Sequence, residues 1–432
     1  MKTSCRRGWI LLAVLAIGVF CSPFCQGKEI ADGSSLKLQK QLVDSNNEFA
    51  VKLYAKMAET QYSAGGDPPS FCYSPYSIAA LSQIVKAGTG GKTEQELGKA
   101  LCLNLSDEEL NQAYLALMKT LQSPKVRKNE TPYELAIANR LWLQQEKNSP
   151  VLPSFKEIIQ KYYLSSIEEV NFANSSACLK EINDWVSEKT KHHIKKILSD
   201  GDIDGLTRFV ALNAVYFQGT WRETFNTKAT MERPFYASDG KTKLGTVPMM
   251  SKTDKRSQLG VVDGVSILRR PYQGGASFVA ILPPEGEKGL EKLEASLSND
   301  KLQQWLASAR RAPSIRVQLP KFELENKFPL IPVMKQLGVN DLFDGDAADF
   351  SGMARPGGWK TLYVDVMRHK ATIKVDEEGT VATAATVAVG TWKSIPMKPK
   401  SFVADRPFLF MVVDDKTSSI LFLGRYTGPE KE

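Results

Sequence analysis

Residues able to do covalent chemistry are few in this chain. Among 432 residues there are three histidines, His192, His193 and His369, and six cysteines. General acid–base and nucleophilic catalysis need an imidazole, thiol or hydroxyl held against a partner group. None of the spacings that bring such partners together occurs: there is no G-x-S-x-G, H-E-x-x-H or C-x-x-C. The run KAGTGGKT at 86–93 resembles a phosphate loop, but Lys86 stands where that loop requires its first glycine. A glycine turn that ends a helix accounts for it better. The sequence therefore speaks against an enzyme, and no cofactor or metal is expected.

Lys189, Lys191, His192, His193, Lys195 and Lys196 cluster at the end of a predicted helix, where cations complement the helix dipole. A solvated helix end is one reading of them, and weak binding of a sulfated polysaccharide is the other. The most unusual chemistry lies at 376–400, DEEGTVATAATVAVGTWKSIPMKPK. From Gly379 to Trp392 the segment has no charge and no proline, between the acidic Asp376, Glu377 and Glu378 and the basic Lys393. That composition reads as a β-strand. Thr380, Ala382, Ala384, Thr386, Ala388 and Gly390 are small, whereas Val381, Thr383, Ala385, Val387 and Val389 are on average larger and more apolar. In a strand the two sets face opposite sides. An ordinary core strand would share this pattern, but the run leads into Lys393, Ser394 and then IPMKPK, an extended, proline-bearing exit. An exposed segment of this kind would be an aggregation hazard. It reads as a strand waiting for a sheet, beside a lone lysine.

The elements that position this segment occupy the rest of the chain. Lys2, Arg6 and Arg7 precede an apolar run ending near Gly27, the pattern of a secretory signal peptide at 1–27 that is too short for a comfortable membrane span. A soluble, secreted protein is expected. Without those three basic residues the formal charge falls from +8 to +5, too mild to point to nucleic acid or a membrane surface. Cys72, Cys102 and Cys178 remain, and three cysteines cannot all pair, so at least one buried free thiol is expected. Sequons at Asn104, Asn129 and Asn174 fit a secreted glycoprotein.

Helical spacing marks NNEFAVKLYAKMAE, PYSIAALSQIVKAG, TEQELGKAL, DEELNQAYLALMKTLQ, PSFKEIIQKYY and CLKEINDWVSEKTKHHIKKIL. Strand-like runs are YELAIANRLWLQ, TRFVALNAVYFQGTW, VSILRRPY, ASFVAILPP, SIRVQLPKFELE, LYVDVMRHKATIKV and FLFMVVDDKTSSILFLGRY. No linker, repeat or regular βαβ alternation divides them. A single large α+β domain with mostly antiparallel sheets is expected, at 28–432.

These segments closely resemble the serpin family over essentially the whole mature chain. EEGTVATAAT resembles the family's hinge and FVADRPFLFMV its C-terminal signature. SPYSIAAL, NRLWLQ, INDWVSEKT, LNAVYFQGTW, VPMM and RHKATIKVDEEGT follow in the family's order. The resemblance implies three β-sheets surrounded by helices, an exposed reactive-centre loop (376–400 with its hinge) and a metastable native state. It also implies a monomer whose partner is a trypsin-like serine protease, held as a covalent acyl complex while the cleaved loop inserts into a sheet. In the family the scissile bond lies fourteen positions beyond the hinge glycine, here Lys393–Ser394 with Trp392 as subsite neighbour. The implied hinge is Glu377, Glu378, Gly379, Thr380, Ala382, Ala384, Ala385 and Thr386. Ser74, Ser77, Asn213 and His369 match the polar cluster beneath the loop-accepting sheet, and Trp221, Lys321 and Glu377 the region where the loop first enters. Thr383 stands where inhibitory members most often have alanine, and the acidic SDEEL at 106–110 departs from heparin-activated members. The alternative within the family is a non-inhibitory carrier, storage protein or chaperone, whose hinges tend to carry charge, bulk or proline.

Overall fold

The computed structural model describes residues 33–63, 68–124, 126–146, 151–354, 362–379 and 400–429. Nine α-helices occur among them: α1 (Gly33–Ser63), α2 (Pro75–Lys86), α3 (Gly91–Ala100), α4 (Asp107–Gln122), α5 (Pro153–Tyr163), α6 (Ser175–Lys189), α7 (Gly289–Ala295), α8 (Asn299–Ser308) and α9 (Leu330–Gln336). Their ends follow local chemistry. Ser106 and Glu109 form a reciprocal capping box ahead of α4, and Ser74 caps α2 with Pro75 in its first turn. Every residue of α2 is buried, which suits a helix enclosed by sheets rather than laid on a surface.

The strands form three sheets. The central one has five strands in the order β12 (Phe322–Pro329), β13 (Val366–Val375), β4 (Phe209–Gln218), β2 (Glu134–Gln144) and β3 (Ile167–Val170). A seven-stranded sheet runs β1 (Phe71–Tyr73), β16 (Ile420–Tyr426), β15 (Phe408–Asp414), β9 (Ala276–Leu282), β8 (Val265–Pro271), β7 (Gln258–Val262) and β10 (Arg310–Arg311). The third has four strands, β14 (Lys400–Val403), β11 (Ile315–Pro320), β6 (Lys243–Asp254) and β5 (Met231–Tyr236).

The two faces of the central sheet bury different cores. Phe209, Ala211, Val215 and Phe217 of β4 join the main core with α1, α2 and the seven-stranded sheet. Their alternates Val210, Leu212 and Ala214 pack with Trp142, Ile182 and Val186 beneath α6. This is the period-two division that LNAVYFQ carries in sequence.

Several boundaries differ from the sequence expectation. The helix expected to continue through KTKHHIKKIL stops at Lys189, and Lys191 and His192 turn left-handed at φ of 50° and 66°. The Thr190 hydroxyl and the Asn183 side-chain carbonyl receive the amides of Ile194, Ile197 and Leu198, holding the chain in a strap rather than a helix. Lys191, Lys195 and Lys196 therefore lie beyond the helix terminus. The glycines of KAGTGGKT span a turn between two helices, with Gly90 in extended backbone before α3. Cys72, Cys102 and Cys178 are all free thiols, the first and last buried.

Candidate functional site

The central sheet contains a parallel seam. β13 and β4 pair directly, from Val366 opposite Val210 to Thr372 opposite Tyr216, and the described pairing goes no further. Just past the end of β13 the chain reverses. Asp376 and Gly379 exchange backbone hydrogen bonds of 3.1 and 3.3 Å, and the Asp376 carboxylate accepts the amides of Glu378 and Gly379. Gly379 then makes an antiparallel bridge to Thr220, just beyond β4. At φ +125° this position suits glycine, and a Cβ there would collide with the Gly219 carbonyl oxygen.

The turn is anchored on both sides. Trp221 donates its indole N–H to the Asp376 carbonyl and its backbone N–H to the Glu378 carbonyl, both at 2.8 Å, and Phe225 donates to the Glu377 carbonyl at 2.7 Å. The Trp221 ring is stacked on Tyr272 at 4.2 Å, with the Arg270 guanidinium 5.1 Å from its centroid. Lys321 donates to Glu377 at 2.9 Å and Thr230 to its other oxygen at 2.8 Å. Burial raises the pKa of Glu377, but these hydrogen bonds outweigh it and leave the carboxyl below its ordinary range.

Four residues named from sequence meet under the seam. The Ser74 amide donates to His369 Nε2 at 3.1 Å, which leaves Nδ1 as the protonated nitrogen facing Asn213 Oδ1. The Asn213 amide donates to the Ser77 carbonyl at 3.2 Å and to its hydroxyl, and Ser74 Oγ accepts the Ser77 amide at 3.3 Å. Ser74, Ser77, Asn213 and His369 are fully buried. Register explains the convergence, since His369 lies opposite Asn213, and Asn213 opposite Asn139 of β2.

Burial pulls the His369 pKa down to about 3. A neutral buried imidazole of this kind contributes stability that is fully present above about pH 6.5 and lost as pH falls toward 3, because the unfolded chain takes up the proton first. Between pH 6.5 and 5, above the range of most carboxylates, stability should fall with a slope that approaches about 1.4 kcal/mol per pH unit. Urea unfolding across that window should show this slope, and His369→Gln should flatten it. An unchanged slope in the variant would remove His369 as its source.

Asn139 was not singled out in sequence, although it donates nothing to the core's apolar packing and receives the Asn213 amide. Its signal was a polar residue between the apolar runs LAIA and LWL of ELAIANRLWLQ. Asp376, Thr230 and Tyr272 were also missed, because the Asp376 carboxylate serves its own turn, the Thr230 hydroxyl meets a partner 147 residues away and Tyr272 acts through its ring. Thr380, Ala382, Ala384, Ala385, Thr386, Trp392, Lys393 and Ser394 lie outside the described residues, as does the signal peptide expected at 1–27. Asn104, Asn129 and Asn174 are exposed. Of the four lysines at the end of α6, Lys191 lies 2.5 Å from Glu134 and Lys189 3.4 Å from Glu188, which favours a solvated surface over a polyanion site.

The site is thus a parallel seam in the central sheet, with the chain that follows one of its strands folded back beside its end. Residues 44–429 match the family model described as serpin (serine protease inhibitor), and the chain belongs to the serpin family, whose members are protease inhibitors rather than enzymes. Human Serpin B8 is 36% identical over 392 residues, covering 90% of this chain and 99% of its own length. Human leukocyte elastase inhibitor is 34% identical over 398 residues, covering 90% and 100%. Among solved structures, the highly specific Serpin48 of the insect Tenebrio molitor aligns with a TM-score of 0.76 at 29% identity, over 90% of this chain and 98% of that one. The thermophilic serpin tengpin in its native state aligns with a TM-score of 0.77 at 28% identity, over 90% and 94%.

Proposed function

We propose that the protein is a secreted suicide inhibitor of trypsin-like serine proteases. A target cleaves Lys393–Ser394, and before the acyl-enzyme hydrolyses the freed segment from Thr380 onward enters the seam between β13 and β4. The antiparallel bridge of Gly379 to Thr220 is the observation that carries this reading. With the Asp376–Gly379 turn it sets a register. Continued, that register pairs Thr380 with Gly219 and Val375, Ala382 with Phe217 and Ile373, Ala384 with Val215 and Ala371, and Thr386 with Asn213 and His369. The last two pairs of partners already face each other across the seam. Residues directly opposite share a face, and Phe217, Val215, Ile373 and Ala371 all belong to the main core. The small residues of the loop would thus meet the crowded face and its larger residues the other one.

Insertion carries the acylated protease across the inhibitor and distorts its active site, so deacylation fails. The outcome is a race between insertion and hydrolysis, and an uncharged hinge keeps insertion fast.

Lysine at the cleavage position suits a pocket with a carboxylate at its base. Trp392 before it needs an open neighbouring subsite, as in trypsin-, plasmin- and plasma-kallikrein-like enzymes rather than thrombin-like ones. An ammonium lacks the bidentate fork of arginine, which leans further toward trypsin- and plasmin-like targets. Secretion rests on the leader sequence and is supported by three exposed sequons.

Expressed from the full reading frame in secretory cells, the protein recovered from the medium should begin at Lys28 and form SDS-stable complexes with trypsin and plasmin. Association with both should be at least about tenfold faster than with thrombin, with Trp392→Pro narrowing the gap. Thrombin ranking first, or Lys393→Ala leaving trypsin inhibition intact, would overturn the assignment of this bond.

A further inference from the structure

The four-stranded sheet carries an unbalanced charge on the rim where the chain returns from the loop. β6 ends at Asp254 and passes through Lys255 and Arg256 into β7, while β10, pairing with β7, leads through 312–314 into β11. The two crossings run side by side, because Asp254 is the register partner of Ile315 and Gln258 that of Arg311. On the other side of β11, Lys400 lies opposite Ile315 and Ser401 opposite Arg316. Lys255, Arg256, Arg310, Arg311, Arg316 and Lys400 are all exposed and share this rim.

Carboxylates do not balance them. Asp254 is buried and taken by Arg270, and Glu223 is divided between Arg256 at 3.7 Å and Lys252 at 3.9 Å. Among the described residues, no carboxylate lies within ion-pair distance of Lys255, Arg311, Arg316 or Lys400. Arg316 projects outward from a strand whose flanking Ile315 and Val317 are buried, so the core does not require its charge. Like charges gathered this way repel one another and raise the local concentration of anionic partners.

The rim's distance from the cleavage site is bounded by the chain itself. Lys400 follows Lys393 by seven residues, at most about 25 Å of extended backbone. A protease of about 220 residues has a radius of gyration of roughly 17 Å, so the rim lies within reach of the surface of one holding Lys393 in its pocket.

We propose that Lys255, Arg311, Arg316 and Lys400 form an exosite that receives an acidic surface patch of a protease already engaged by the loop. The inference rests on Lys393 being the residue the protease holds. A sulfated polysaccharide is the competing polyanion, and the tether of only seven residues to the cleavage site favours the protease.

Two trypsins of the same specificity but opposite net charge separate surface from pocket. At about 0.05 M salt, Arg311→Glu combined with Arg316→Glu should slow association with an anionic trypsin about tenfold, and the difference should shrink at about 0.3 M as screening shortens. A cationic trypsin should not be slowed. Lys255→Glu with Lys400→Glu should reproduce the effect, which guards against misfolding of either double variant. Binding of an anionic trypsin whose nucleophilic serine is replaced by alanine should weaken by a similar factor. That readout needs no trapping, so a failure to trap either trypsin would count against the proposed inhibitory function while this binding still decides the exosite. Equal rates and equal binding for wild type and both variants at low salt would overturn the proposal. So would loss of retention on immobilised heparin with protease rates unchanged, which would assign the rim to a polysaccharide.

Discussion

Nicking the loop at Lys393–Ser394 should raise the thermal midpoint of the protein by on the order of tens of degrees. A cut chain ordinarily loses stability, so the sign alone is diagnostic. In the intact protein β13 and β4 pair directly and in parallel from Val366 to Thr372. A strand running back from Gly379 would be antiparallel to both, replacing one parallel ladder with two antiparallel ones, the slightly more stable kind per residue. The reversal at Asp376–Gly379 is already made, so closing the new hairpin requires little further loop entropy. For about 400 residues, at roughly 2 cal/mol/K of unfolding entropy per residue, a shift of this size corresponds to roughly 20 kcal/mol, more than the whole stability of an ordinary domain. Differential scanning calorimetry before and after limited cleavage measures it. A midpoint that stays or falls would mean that the segment does not insert.

The strands that flank the seam were legible because each carries its own pattern. LNAVYFQ alternates between two cores, and RHKATIKV places buried His369, Ala371 and Ile373 on one side. The polar cluster was legible only through family resemblance, since Asn213 and His369 meet by strand register while Ser74 and Ser77 reach them from the start of α2, far away in sequence. Asn139 shows the limit. It is one half-buried asparagine of β2, and nothing local says that its partner is Asn213. The third sheet was half hidden for another reason. β5 is mostly exposed and β6 reads KLGTVPMMSKTD, so neither shows an apolar face strong enough to mark a strand. The contact that fixes the hinge was invisible for want of any side-chain signal at one end, because the Trp221 indole is bound by a backbone carbonyl 155 residues away. The end of α6 was misjudged because basic residues with good helix propensity follow Lys189, while tertiary hydrogen bonds from Thr190 and Asn183 redirect the chain.

Thr380→Arg should convert the protein from inhibitor to substrate, so that trypsin cleaves it without forming an SDS-stable complex. Extending the bridge between Gly379 and Thr220 by one residue sets position 380 between Gly219 and Val375. That place is enclosed. Val375 is fully buried, and even a Cβ on Gly219 would meet the Tyr272 ring at 2.9 Å and the Phe217 ring at 3.0 Å. An arginine entering there would lose its hydration, at a cost of several kcal/mol after relaxation. Each 1.4 kcal/mol on the insertion barrier slows it about tenfold, so even half of that cost lets hydrolysis win the race. The scissile bond is thirteen residues farther along and remains accessible. Val381→Arg is the matched control. The same register places position 381 beside Gln218 and Lys374, which are only partly buried, where a guanidinium keeps its water and repulsion from Lys374 is worth about 1 kcal/mol or less. Titration of active trypsin against each variant gives the stoichiometry of inhibition, which should rise many-fold for Thr380→Arg and stay near the wild-type value for Val381→Arg. If Thr380→Arg traps protease at the wild-type ratio, insertion is not the mechanism. If both variants fail alike, the loop enters in a different register, and the face assigned to its small residues is wrong.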